Sequence, residues 1–199
     1  GSLKPDTNAI HNGANDNASG TAGLLELAQI LQANRQLLKR SILLIGFDAE
    51  EKGLIGSKYF ISNPTIQKNN IVTMINMDMI GKMKDSTAIV GGVGTSLIFE
   101  PLLDSLSKLS NLKLEYDQAG YGPSDHASFY AEDIPVLFFF TGDYSNKYHL
   151  PEDDWEDINA PGEKQILDII YKSVIELSRN PIRPAFSIAG PKTRTVQRN

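Results

Sequence analysis

Apolar positions along the chain follow two spacings, and the change from one to the other marks out the elements. Leu24, Leu27, Ala28 and Leu31 recur at i, i+3, i+4 and i+7, the stripe of a helix, and Ser19 stands where its N-cap belongs. Ser41–Phe47 is a nearly continuous apolar run of strand length, which predicts a buried strand. A short helix is predicted near 54–61, ended by Asn63-Pro64 because the residue before a proline disfavours helical backbone. Residues 71–78 read as a second buried strand, and 87–90 as a short one before the glycines at 91, 92 and 94. Phe99, Leu102, Leu103 and Leu106 share one helical face. Residues 112–116 suit an edge strand, 136–140 a central one, and a closing helix over about 162–179 carries Ile166, Ile169, Ile170 and Val174. Strands and helices alternate without repeats or low-complexity segments, which predicts one α/β domain.

Three of the apolar runs end in polar loops. Asp48, Glu50 and Glu51 follow the first, Asp78 closes the second, and Thr141-Gly142-Asp143 leads from the central strand towards His149. Parallel strands would bring these loops to one rim, where open α/β sheets place their ligands. The loop Asn12–Gly20, which opens the first helix, can reach the same rim. Asp16, Glu51, Asp78 and His149 supply hard carboxylates and an imidazole, a donor set suited to zinc or a similar divalent ion. An adjacent Glu-Glu pair is ordinarily a solvated loop. In this company the two can divide their work, Glu51 binding a cation and Glu50 moving a proton.

Composition narrows the picture further. A chain of 199 residues, 41% hydrophobic and 22% charged, can bury the core of a globular domain. No apolar run approaches the roughly 20 residues that span a bilayer, and the longest, 134–140, is strand-sized. Zero cysteines exclude disulfides, thiol nucleophiles and thiolate metal sites. The net charge of −5 conceals an asymmetry: Arg183, Lys192, Arg194 and Arg198 stand in the last 19 residues with no acid, which leaves −9 on residues 1–180. So acidic a body argues against nucleic acid as partner. The proline and glycine of the basic tail, 181–199, predict an extended segment beyond a catalytic domain of residues 1–180. No signal peptide is evident, and Gly1-Ser2 reads as an expression remnant that leaves room for an export signal upstream.

Five segments carry a family resemblance: Asn12–Leu27 (NGANDNASGTAGLLEL), Phe47–Phe60 (FDAEEKGLIGSKYF), Asn76–Gly81 (NMDMIG), Gly120–Tyr130 (GYGPSDHASFY) and Tyr148–Asp154 (YHLPEDD). In this order they resemble the zinc-dependent aminopeptidases of the bacterial leucyl aminopeptidase type, a family that also contains glutaminyl cyclases. The resemblance implies a three-layer α/β/α sandwich around a mostly parallel mixed sheet, secreted or periplasmic, acting on peptides with a free N-terminus. It implies two zinc ions bridged by Asp16, one completed by Glu51 and His149 and the other served by Asp78. Glu50 would be the general base in hydrolysis of the N-terminal peptide bond by metal-activated water. Tyr121, with the Ser124-Asp125-His126 turn, would line the substrate side: Tyr121 as an oxyanion contact, His126 as a supporting or structural residue.

One departure stands out. The family's second zinc takes a histidine from a His-x-Asp motif upstream of the bridging aspartate, and none of His11, His126 or His149 sits in such a motif. The expectation is therefore a fragment lacking the family's first strands, with one or fewer zinc ions tightly bound and an exposed sheet edge open to self-association. Leu150 stands where the family usually has a small polar residue. The competing readings are a single-zinc glutaminyl cyclase, satisfied by Asp16, Glu51 and His149, and an inactive binding or structural module of the same fold.

Overall fold

Val136–Phe140, five apolar residues in a row, forms the strand β4 in the interior of a four-stranded sheet. The computed structural model describes residues 2–142 and 146–193. Met74–Met77 (β1) pairs parallel with β4 on one side, and Thr87–Gly91 (β2) pairs antiparallel with it on the other. Lys113–Tyr116 (β3) lies parallel to β2 at the far edge. Its exposed Lys113 and Glu115 alternate with half-buried Leu114 and Tyr116, so the predicted edge strand carries charge where an edge needs protection.

Strand alternation sends β4 side chains to two cores. Leu137 and Phe139 join a cluster built from helix α1 (Gly20–Ala33), α3 (Phe99–Ser107) and α5 (Ala160–Arg179), whose stripes contribute Leu27, Leu31, Leu103, Ile166, Ile169 and Ile170. Val136 faces the opposite cluster, with Ile61 of α2 (Ile55–Ser62) and Phe129 and Tyr130 of the short α4 (His126–Tyr130). The result is the expected three-layer arrangement, with two of its three strand pairings parallel.

Two expectations are corrected. Residues 41–47 form no ladder with any described residue, and Ile42, Leu43 and Leu44 are 36%, 52% and 39% exposed. An apolar run implies a buried strand only when sheet neighbours and helices cover it; here no sheet neighbour among the described residues does, and helices meet only its end, at Phe47. The segment is instead fixed at its start: Lys39 and Arg40 donate backbone N–H groups to Ser178 Oγ, and the Arg40 guanidinium donates to the carbonyls of Leu177 and Asn180 at the end of α5. Ser19 does not cap α1. Asn17 does so, its Oδ1 accepting from Gly20 N at 3.0 Å, while Ser19 Oγ donates to the Asn15 carbonyl. The tail is docked as far as it is described, since Tyr130 OH donates to the Gly190 carbonyl, Lys192 pairs with Asp133, and Arg183 donates to the carbonyls of Asn69 and Ile71. Arg194 and Arg198 lie outside the described residues, as does Asp143.

Candidate metal centre

Because β1 and β4 run parallel, their carboxyl ends share a rim. Asp78 N donates to the Phe139 carbonyl at 3.2 Å, and Thr141 N donates to Met79 O at 3.1 Å. The Asp16 loop is laced onto this rim by its polar neighbours. Asn17 Nδ2 donates to Met77 O at 3.0 Å, and Asn17 Oδ1 accepts from Met79 N at 3.1 Å. Asn15 Oδ1 accepts from Gly81 N at 2.9 Å, and Ser19 Oγ accepts from Ile80 N at 3.1 Å. Short polar side chains in this loop accept from the N–H groups of residues 79–81, which leave the sheet and would otherwise be unpaired. The peptide bond between Asp16 and Asn17 is cis.

Glu50 and Glu51 stand on the single turn Glu50–Lys52. Phe47 leads into it, packed at 6.0 Å from both Phe60 and Phe129. Ala49 and Leu54, on either side of the turn, have φ of 55° and 60°, and Met79 and His149 have 54° and 57°. Left-handed backbone at non-glycine residues costs of order 1–3 kcal/mol each, and such positions gather at functional sites. Here three of them directly adjoin or carry a candidate site residue: Ala49 precedes Glu50, Met79 follows Asp78, and His149 is itself one.

Asp16, Glu51 and His149 converge. His149 Nε2 lies 2.9 Å from Asp16 Oδ2 and 3.6 Å from Glu51 Oε1, and the three ligand atoms all fall within 4.8 Å of one another. Two carboxylates and an imidazole around one point match the three protein donors of a catalytic zinc site. Asp78 stands outside that 4.8 Å group but borders it electrostatically. Its Oδ1 is buried with no hydrogen-bond partner, and Ser124 bonds its carboxyl group while accepting from Asn76 Nδ2.

Burial raises the pKa of four carboxyls around the site, and at Glu50 and Asp78 neighbouring charges add to it. Burial first, then the charges of Asp78, Asp125 and Asp16, pushes Glu50 up to about 7. Burial, with Asp16 and Asp125 adding to it, raises Asp78 to about 6. Asp16 and Asp125 shift upward as well, again chiefly through burial, and for Asp16 the neighbouring His149 works the other way. Accumulated negative charge of this kind favours a divalent cation, so the donor set and its electrostatics both fit a metal.

Tyr121 is half-buried and packs against the second apolar cluster. His126 is 1% exposed, stacked on Phe138 at 4.3 Å, and burial lowers it to about 4. It is therefore neutral at pH 7, and it reads as a core ring. His11 is exposed. Tyr148 escaped the sequence reading, which placed Asp125 in a turn on the substrate side but gave it no role of its own. Tyr148 stacks on His149 with ring centroids 3.7 Å apart, and burial, then the charges of Asp16, Asp78 and Glu50, raises its hydroxyl pKa. Asp125 is 7% exposed and acts on both Glu50 and Asp78. Tyr148 directly preceded a candidate ligand and could have been found on that ground. Nothing local marked Asp125 as near Glu50, because the contact spans two loops.

The chain is 30% identical over 184 residues to the aminopeptidase YwaD of Bacillus subtilis, spanning 86% of this chain and 39% of that protein. Among solved structures it superposes on the LapA aminopeptidase of Legionella pneumophila with a TM-score of 0.75 at 27% identity, covering 85% of this chain and 48% of the other. It superposes on BSAP, a zinc aminopeptidase from Bacillus subtilis, with a TM-score of 0.67 at 26% identity, covering 89% and 46%. The chain thus spans less than half the length of each of these relatives. Residues 5–174, which hold every group described around the rim, match the pattern of peptidase family M28, and the chain belongs to that family.

Proposed function

We propose that this chain carries the catalytic centre of a zinc aminopeptidase that removes residues from peptides with a free N-terminus. The observation that carries the reading is the convergence of Asp16, Glu51 and His149 within 4.8 Å, with Glu50 beside Glu51 on one turn. Those three residues would hold one zinc, and Asp78 would serve a second. Bound there, zinc supplies Lewis acidity that polarises a peptide carbonyl and acidifies water.

The chain's own residues supply the proton chemistry. Glu50, held near 7, is poised to take a proton from the attacking water and return it to the leaving amine. The raised pKa of Tyr148 keeps its phenol protonated, so it can donate a hydrogen bond to the carbonyl oxygen as charge develops there. Tyr121 remains the other candidate for that contact, but its packing against the apolar cluster favours Tyr148. The surrounding carboxylates would attract the cationic amino group of a substrate.

The test is hydrolysis of an aminoacyl anilide and of a free-N-terminus peptide by the zinc-loaded protein, beside an N-acetylated control. Release of the first residue from the free peptide only is expected. Glu50→Gln is expected to lower kcat by about 10²- to 10⁴-fold, the usual worth of a general base, while zinc content persists. Undiminished turnover in that variant would sink the assignment. A peptide beginning with glutamine separates the cyclase reading, which demands ring closure without loss of the residue.

A further inference from the structure

Asp153 lies four residues beyond His149 and is 2% exposed, yet its carboxylate serves a different loop. Its Oδ2 accepts from the backbone N–H groups of both Asn15 and Asp16, each at 3.0 Å. Its Oδ1 accepts from Lys82 Nζ at 2.8 Å, with the two side chains 3% and 6% exposed. The Asp153 carbonyl accepts a further bond from Ala14 N at 2.9 Å. Lys82 stands four residues after Asp78, and its ammonium also lies 3.9 Å from Asp157 Oδ2. The loop of Asp16, the loop after Asp78 and the loop of His149 therefore meet at one buried ion pair.

As a stabilising device alone, a buried ion pair is a poor choice. An apolar pair of the same volume often does as well or better, because desolvating two charges offsets their attraction. An apolar pair cannot accept two N–H bonds from the loop that carries a metal ligand. Resting on the zinc-site reading of Asp16, Glu51 and His149, we propose that Asp153, held by Lys82, is a positioning residue of the metal centre. It fixes the backbone of Asp16 relative to His149, whose ligand atoms lie 2.9 Å apart. Groups that orient a ligand without touching the ion usually matter to affinity and turnover almost as much as the ligands do.

The experiment measures zinc affinity of the whole chain by competition with a chromophoric chelator, beside the far-UV spectrum of the zinc-free protein and kcat and KM at saturating zinc. Asp153→Asn is expected to fold, to bind zinc about 10- to 100-fold more weakly, and to lose kcat with little change in KM. Wild-type affinity and kcat in a folded Asp153→Asn protein would leave the pair a structural contact and overturn the proposal. Should that variant not fold, amide exchange at Asn15 and Asp16 in Lys82→Met decides. Faster exchange there, restored by Lys82→Arg, supports positioning, and exchange unchanged from wild type overturns it. A wild-type chain that binds no zinc would instead overturn the zinc-site reading, and the positioning role with it.

Discussion

Glu50 shows what a single residue gains from its surroundings. Its neighbours in sequence give it charge and adjacency, but burial, and then the carboxyls of Asp78, Asp125 and Asp16 that reach it only through the fold, raise it from 4.5 to about 7. The sign of the consequence follows from linkage. Glu50 and Asp78, at about 7 and about 6 when folded, hold protons that the unfolded chain releases near 4.5 and 3.8. The native state then binds more protons in that window, so the contribution of these groups to stability falls as pH rises from about 4 to 7. The melting temperature of zinc-free protein is therefore expected to be lower at pH 7.5 than at pH 5, and Glu50→Gln to flatten the difference. An identical slope in the variant would remove Glu50 from the account.

At the scale of elements, two apolar segments have opposite fates. Ile169 sits on the stripe of α5 at 0% exposure, whereas Leu43 lies in the unpaired run 41–47 at 52%. Ile169→Ala should cost about 2–5 kcal/mol, because it opens a cavity in a close-packed core. Leu43→Ser should change the stability of this chain by no more than about 0.5 kcal/mol, as surface substitutions do. Urea denaturation of both variants separates the cases, and a loss of several kcal/mol in Leu43→Ser would show that the run is covered after all. Helical stripes were legible because their period is internal to the helix: Leu27 and Leu31, Phe99 and Leu103, and Ile166, Ile169 and Ile170 are all buried as the spacing requires. Strands carry no such internal evidence. Residues 74–77 and 136–140 found strand partners, and 41–47 found none among the described residues.

For the molecule as a whole, the metal centre joins loops that are distant in the chain, so a cation held there ties down the fold. A ligand that binds only the native state at 100 times its Kd adds about 2.7 kcal/mol, which for a chain of this size raises Tm by about 5–10 °C. Zinc is expected to give a shift of that order at pH 7.5 and a smaller one at pH 5, where protons compete for the same carboxylates. His149→Ala should abolish the shift. A rise that survives this substitution would place the stabilising ion elsewhere.

The sequence by itself determined the donor types and where they stand relative to the apolar runs: Asp16, Glu50, Glu51, Asp78 and His149 each occupy a polar loop or strand end. Those features are local, being residue chemistry and spacing within a few positions. Which donors meet was implied by the resemblance and not by spacing; the tertiary structure supplies the distances, with Asp16, Glu51 and His149 within 4.8 Å of one another and Asp78 outside that group. It also decided that Tyr148, Asp125, Lys82 and Asp153 belong to the same neighbourhood. Their burial and partners come from loops more than 60 residues apart in several cases, and no spacing rule along the chain encodes a contact of that range.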